Sequence, residues 1–364
     1  MSNIPKTTKG IVIKPTETKE TVFKNDAVVV EQSIPELLPG QVLVKVNAVA
    51  FNHKDVWMRK GLYPGITPGS FYGGDGAGIV VASGTSNDEL VNQRVFLTPS
   101  RGWWSNPDGP ESKFYTMGGA AVSPGGTFAE YLVVDRVHLI RTPSHLDDVQ
   151  AAAWPLGGVT SWRATMVNAK VQAGQNVLIT GIGGGVALLA LQLCIAAGAS
   201  VYVTSGNPEK LERAVALGAK GGANYKDANW PAEIHAQLQK ERKGGVLDSV
   251  IDSGGGDILG KVSKILKPGG KVVCYGMTAG PKITMTMREV LFNQQLIGST
   301  MGSHKDLEDA TAFLTEHKIV PVISQVLDGL ESAEQGFQLL NRGDQFGKVV
   351  IKIRHQSSTP TAKL

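Results

Sequence analysis

Cysteine is nearly absent from this chain of 364 residues: only Cys194 and Cys274 occur, both inside apolar runs. That excludes a disulfide framework and points to a reducing compartment, so a cytoplasmic location is expected. Charge of one sign is missing as well. The formal net charge is +4, and no block of five like charges occurs, which leaves a nucleic-acid-binding surface without support. The opening "MSNIPKTTKGIVIK" has no apolar h-region and is not Arg-rich, so neither a secretory signal nor a transit peptide is expected. The closing "RHQSSTPTAK" with its terminal Leu reads as a frayed tail.

Long apolar runs are also scarce, with one exception. From Gln175 to Pro208 there is no charged residue, and Val177–Val203 is almost wholly apolar or small. A membrane span needs about 20 apolar residues in one uninterrupted helix. Here four glycines crowd positions 181 to 185 and Gly198 interrupts again, each costing about 1 kcal/mol in a helix interior. No Lys/Arg or aromatic anchors flank the run. It divides instead into strand Val177–Thr180, turn Gly181–Gly185, helix Val186–Ala197 and strand Val201–Val203. The two strands are continuously apolar because both faces are covered. No membrane partner is expected.

What is abundant is glycine, at 44 residues, in a chain that is 42% hydrophobic and 19% charged. Asn207 can cap a helix beginning at Pro208, and Gly218 closes it. "VLDSVIDSGGG" reads as a strand, "ILGKVSKIL" as a helix ended by Pro268-Gly269, "KVVCYGM" as a strand, and "QQLIGSTMG" as the last. This alternation predicts an α/β fold with a parallel, doubly wound sheet. The first 150 residues differ: "QVLVKVNAVAF", "GAGIVVASG", "QRVFL" and "FAEYLVV" are short strands between Gly, Pro and Asn turns, the pattern of a small antiparallel barrel. From about residue 305 a helix, "KDLEDATAFLTEH", leads to strand-like "KVVIKI".

Gly181, Gly183, Gly184 and Gly185, followed by Val186 and Ala187, fit G-x-G-x-x-[GA] loosely. Lying after a strand and opening a helix, they let the backbone approach a pyrophosphate at the positive helix end. An NAD site expects an acid at the end of the second strand. Ser205, Gly206 and Asn207 stand there, followed by Lys210 and Arg213, with Tyr225 ending "GANY". Room and a cation for a 2′-phosphate favour NADPH. A solvated surface lysine is the plainer reading of Lys210, and for Arg213 a surface role is preferred.

Several signatures fall in order: "NHKDVWMRKGLYPG", "GGDGAGIVVASG", "GTFAEYLVV", "AAAWPLGGVTSW", the glycine loop and "GKVVIKI". Together they resemble the medium-chain dehydrogenase/reductase superfamily, and most of all its zinc-independent quinone oxidoreductase branch. Fungal and bacterial proteins often labelled zinc-type alcohol dehydrogenases belong to that branch. The resemblance implies a GroES-like, mainly antiparallel β-barrel catalytic domain over 1–155, completed by 300–364. A Rossmann dinucleotide-binding domain would span 156–299, and the protein would be a homodimer. Zinc enzymes of this superfamily carry Cys, His and Cys where Asn52, Gly74 and Leu156 stand here, and residues 85–127 lack the four cysteines of a structural zinc lobe. No metal is expected.

The function implied is NADPH-dependent hydride transfer to a quinone or an α,β-unsaturated carbonyl. Asn52 would hold the acceptor carbonyl, or else stabilise a turn. Tyr63 would donate a hydrogen bond or proton, or else only line the cleft. Asp75 would order its neighbours. Thr160 resembles the threonine near the nicotinamide, with helix capping as its alternative. Lys348 matches a coenzyme-side lysine, or a surface lysine ending a strand. Gly276, after "KVVCY", joins the coenzyme set. Trp103, Trp104, Phe114 and Tyr115 in the loop 98–127 would sandwich a flat substrate, cover the barrel or form a subunit contact. Rival functions are a coenzyme-binding sensor or scaffold and an enoyl reductase for a carrier-bound chain.

Overall fold

In the computed structural model, residues 4–18, 22–119, 125–241 and 244–355 are described; the tail from 356 onward and residues 120–124 of the long loop lie outside them. Two main sheets organise the chain. The first has six strands in the spatial order Gly221–Asn224, Ser200–Ser205, Asn176–Ile179, Leu247–Asp252, Leu266–Cys274, Gln295–Gly298. All neighbours are parallel. Chain order reverses at Asn176–Ile179, and the crevice beyond the carboxyl ends at such a point is where open α/β sheets bind ligands. Val177, Leu178, Ile179, Val201, Val203, Val250 and Ile251 are fully buried, as continuously apolar parallel strands require. The apolar run Val177–Val203 folds as a strand, a glycine turn, the helix Gly185–Ala196 and a second strand. Among the described residues no helix is long and apolar enough to cross a membrane.

Two local expectations differ. The helix foreseen over "ILGKVSKIL" covers only Ile258–Val262, because the next strand already begins at Leu266. Its pairing jumps from Leu247↔Leu266 to Ser249↔Lys271, so Pro268 and Gly269 sit in a bulge where a missing N–H costs no ladder bond. The glycine-rich edge strand Gly221–Asn224 has too little apolar content to announce itself.

The second sheet is mainly antiparallel. Its path runs Ile323–Asp328, Lys348–Lys352, Gln41–Ala50, Asp75–Ser83, Arg94–Leu97, Leu139–Arg141, with Tyr131–Asp135 also paired to Gln41–Ala50. Ile323–Asp328 and Lys348–Lys352 are parallel to each other, and the latter is antiparallel to Gln41–Ala50. Late residues thus complete an early sheet. Its core includes Val42, Val44, Val46, Tyr72, Phe128 and Phe337, with Phe51 edge-on to both phenylalanines. Between the sheets lie helices Pro155–Trp162 and His304–Glu316. They are bridged by fully buried Trp154, whose indole N–H donates to Thr311 Oγ1 at 3.0 Å.

Candidate functional site

The glycine turn is built to bring main chain close to a ligand. Gly181 and Gly183 have φ of 65° and 127°, a region that penalises side chains. A Cβ at Gly181 would lie 2.8 Å from Ser253 Oγ, at Gly183 2.8 Å from Lys210 Cδ, and at Gly185 2.6 Å from Lys348 Cδ. Gly184 caps the helix in extended conformation and Val186 sits in its first turn, so unpaired N–H groups face the turn. The turn is anchored on both sides. Thr180 Oγ1 donates to Asp252 Oδ1 at 2.6 Å, and the Gly347 N–H donates to the Gly183 carbonyl at 2.9 Å. Gly276 packs against the Ser253 carbonyl, which a Cβ would approach to 2.5 Å.

The end of the second strand is basic and lacks an acid. Ser205 Oγ accepts from the Asn207 N–H at 3.2 Å. A Cβ on Gly206 would meet both Tyr225 Oη and Lys226 Cε at 2.8 Å, so these two side chains close over it. Lys210 is not a freely solvated lysine. Its ammonium donates to the Gly343 carbonyl at 2.6 Å, and partial burial lowers its pKa against the pull of Asp344. Arg213 lies 4.0 Å over the buried Phe346 ring and is itself exposed, as the surface reading expects. Lys226 escaped the sequence reading, although it directly follows Tyr225.

Asn52, Asp75 and Lys348 form one buried hydrogen-bonded unit. Lys348 Nζ donates to Asn52 Oδ1 at 2.7 Å and to Asp75 Oδ2 at 2.9 Å; Asn52 Nδ2 donates to the same Asp75 oxygen at 2.8 Å. Asp75 Oδ1 accepts from the Leu156 N–H at 2.8 Å, in the first turn of Pro155–Trp162. Asp75 therefore orders its neighbours. Lys348 is 5% exposed and opens its strand, so the surface-lysine alternative is corrected. A second pair lies alongside. Lys54 Nζ donates to the Met117 carbonyl at 2.9 Å and to Asp55 Oδ1 at 3.2 Å, and Asp55 Oδ2 accepts from the Asn52 N–H at 2.8 Å. Sequence reasoning passed over Lys54 because nothing local marks a lysine as buried.

The remaining candidates are more dispersed. Thr160 does not cap its helix; mid-helix, it donates back to the Leu156 carbonyl at 2.7 Å and sits beside Met301 sulfur at 3.6 Å. Tyr63 and Thr116 hydroxyls share a hydrogen bond of 3.1 Å, with no direct bond to the Asn52 unit. His53 is exposed at the surface. Enclosure lowers its pKa first, then the ammonium groups of Lys60 and Lys348. The aromatic rings of the long loop pack to different degrees, Trp103 buried and Trp104 44% exposed. Trp103 is buried edge-on to Phe114, with Arg163 4.3 Å over its ring. Trp104 stacks on His138 at 5.2 Å and tilts against His304. Glu111 ties the loop to itself through the N–H groups of Ser105, Asn106 and Trp104, Ser105 foremost, which hold its pKa down to about 2.

A zinc centre does not fit these residues. Asn52, Gly74 and Leu156 offer neither thiolate nor imidazole, and a Cβ at Gly74 would lie 3.7 Å from Leu156 Cδ1 and 3.1 Å from Lys54 Cε. The Lys54 stem thus borders the room left by Gly74, while the Lys348 ammonium binds Asn52. Among the described residues no group of three or more His, Cys, Asp or Glu could hold a metal.

Fold and site together define an oxidoreductase with a split antiparallel domain and a dinucleotide-type parallel sheet. The chain belongs to the medium-chain dehydrogenase/reductase superfamily. Residues 38–144 match the family described as alcohol dehydrogenase GroES-like domain, and residues 185–316 the one described as zinc-binding dehydrogenase. A zinc-type alcohol dehydrogenase-like protein of Leptosphaeria maculans is 41% identical over 330 residues, 86% of this chain and 91% of that protein. One of Schizosaccharomyces pombe is 31% identical, covering 89% and 94%. A crystal structure of an NAD-dependent alcohol dehydrogenase superposes with TM-score 0.80 at 30% identity, covering 95% of this chain and all of the other. The fold is shared by a 2-octenoyl-CoA carboxylase reductase solved with NADP and 2-octenoyl-CoA, at TM-score 0.79 and 23% identity, covering 98% and 90%.

Proposed function

We propose that the protein is an NADPH-dependent reductase that delivers hydride, without a metal, to a quinone or to the β-carbon of an α,β-unsaturated ketone or aldehyde. One observation carries this reading: where zinc relatives need thiolate and imidazole, two lysines and two aspartates form a charge-balanced cluster around Asn52. Without a Lewis acid to stabilise an alkoxide, an acceptor already activated for hydride is the chemistry that remains. The coenzyme supplies the hydride when bound.

Every other task falls to the chain. Gly181–Val186 hold the diphosphate on main-chain N–H groups, and Thr160 and Gly276 border the coenzyme further along the crevice. Ser205, Lys210 and Tyr225, joined by Lys226, take the 2′-phosphate. The NAD-dependent relative notwithstanding, no acid in this chain ends the second strand to claim the ribose hydroxyls. Asn52 Nδ2 gives one N–H to Asp75; we assign its other to the acceptor oxygen, on which negative charge develops. Lys348, bound to Oδ1 of the same amide, polarises that donor. Tyr63 is assigned the proton delivered to this oxygen, so hydride on carbon and proton on oxygen complete a two-electron reduction.

We further propose a homodimer. Gln295–Gly298 is the edge of the parallel sheet, and Met285, Met287, Val290, Leu291 and Phe292 are exposed just before it. An unpaired edge beside an apolar patch is a surface that association covers.

The test is coenzyme oxidation followed optically against a panel of quinones and enones, with NADPH and NADH compared and a chelator present. Chelator-insensitive turnover preferring NADPH is expected. Stoichiometric zinc required for activity would overturn the metal-free reading, and tight coenzyme binding without turnover would favour the sensor or scaffold. Activity confined to carrier-bound enoyl thioesters would move the substrate to that class.

A further inference from the structure

We infer a second anion site, for a small tetrahedral oxyanion of the phosphate class, at the end of the parallel sheet opposite the glycine turn. The turn follows the carboxyl end of Asn176–Ile179; this site lies where that strand and Leu247–Asp252 begin. A cavity of about 200 Å³ opens there, lined by Lys170, Lys267, Lys271, Asp248, Ser249 and Gln175 among others.

Three features make it a built site. Three lysines and one aspartate line it, and the aspartate is already engaged. Asp248 Oδ1 accepts from Lys267 at 2.6 Å and Oδ2 from the Asn176 N–H at 2.7 Å. Lys271 donates to the Ala169 and Asn168 carbonyls at 3.0 and 3.3 Å, neutral partners that leave its charge unbalanced. Second, Ser249 lines the cavity, is 2% exposed, and its buried Oγ has no hydrogen-bond partner among the described residues. Buried hydroxyls are seldom left unpaired. Ser249 is the cross-strand partner of Lys271, so hydroxyl and ammonium share one face of the sheet. Third, Lys170 ends a π-helical turn in the left-handed region, φ 57°, a conformation uncommon outside glycine and asparagine that sets it at the rim of the cavity. Consistent with an absent counter-charge, burial and then Lys170 and Lys267 lower the Lys271 pKa.

Size selects the ligand. Sites for drug-sized organic molecules run from about 300 to 1,000 Å³, so this cavity suits inorganic phosphate or the terminal phosphate of a small ester rather than a nucleotide. A phosphate oxygen accepting from Ser249 Oγ, with its others toward the three ammonium groups, would satisfy the lone hydroxyl and balance the cluster.

Equilibrium dialysis with inorganic phosphate at constant ionic strength tests this on the intact protein and on Lys271→Gln, Lys170→Gln and Lys210→Ala. Lys170 is exposed, so its variant folds even if Lys271→Gln does not. Binding is expected to weaken about tenfold or more in the first two variants, the size of one lost charge-assisted hydrogen bond, and to persist in Lys210→Ala. No saturable binding by the unaltered protein would overturn the inference. So would binding that survives Lys170→Gln and Lys271→Gln but is lost in Lys210→Ala, since phosphate would then occupy the coenzyme's own anion site. Glycerol phosphate competing as well as inorganic phosphate would identify a small ester as the natural source.

Discussion

Lys348 illustrates what one side chain does when it is placed between two sheets. Its stem lies against Gly185 in the turn, and its ammonium lies on Asn52, which caps the helix His53–Arg59, and on Asp75, which opens the strand Asp75–Ser83. Asp75 is fully buried, so removing the cation strands a carboxylate with only two neutral donors. Lys348→Met is therefore expected to cost about 3–5 kcal/mol, read as a drop in the urea midpoint at unchanged slope. Asp75→Asn on that background should restore part of the loss, because it removes the orphaned charge. A loss below about 1 kcal/mol would mean that Asp75 finds other compensation. The two thiols carry no such burden. Burial raises the pKa of Cys194, and burial followed by Asp252 pushes that of Cys274 up to about 12, which keeps both as unreactive thiols at neutral pH.

Among the elements, the loop carrying Trp103 and Trp104 is held to helix His304–Glu316 by a stack with a titratable member. Burial, followed by Arg101, lowers the His138 pKa from 6.5 to about 4, against the pull of Asp135. Between those values the unfolded chain binds more protons than the folded one, so stability rises with pH through this window. The stabilisation is fully present above 6.5 and is lost as pH falls toward about 4. His138→Gln should flatten this slope in urea midpoints measured across the window, with His304, shifted the same way, retaining part of it. An unchanged slope would place the acid sensitivity elsewhere. Elements were also where sequence was most informative. Strand, glycine turn, helix and capped Asn207 were legible because each depends on residues adjacent in the chain. The bulged strand at Leu266 was not, since its register is dictated by Leu247 and Ser249 across the sheet. Nor were Lys54 and Lys226 as site residues. Asn52 and Lys348 were read separately as candidates, but their bond spans 296 positions and no local pattern encodes it.

At the scale of the whole molecule, the proposed homodimer is tested at the exposed apolar cluster before Gln295–Gly298, where Leu291 is 75% exposed. Leu291→Glu is expected to halve the mass seen by sedimentation while leaving the protein folded, because the side chain packs little within its own subunit. A monomer before substitution would overturn the proposed dimer, and a dimer after it would move the interface to another face. The strand Lys348–Lys352 has a further implication, for biosynthesis. Its partner Ala48–Ala50 is translated some three hundred residues earlier, whereas the parallel sheet from 176 to 298 is contiguous in the chain. During translation the later-made domain can close first, and the earlier one waits with an unpaired edge until residue 352 has left the ribosome. A nascent chain stalled before that point exposes a sticky strand, which makes the order of synthesis, as well as the final energy, a determinant of yield.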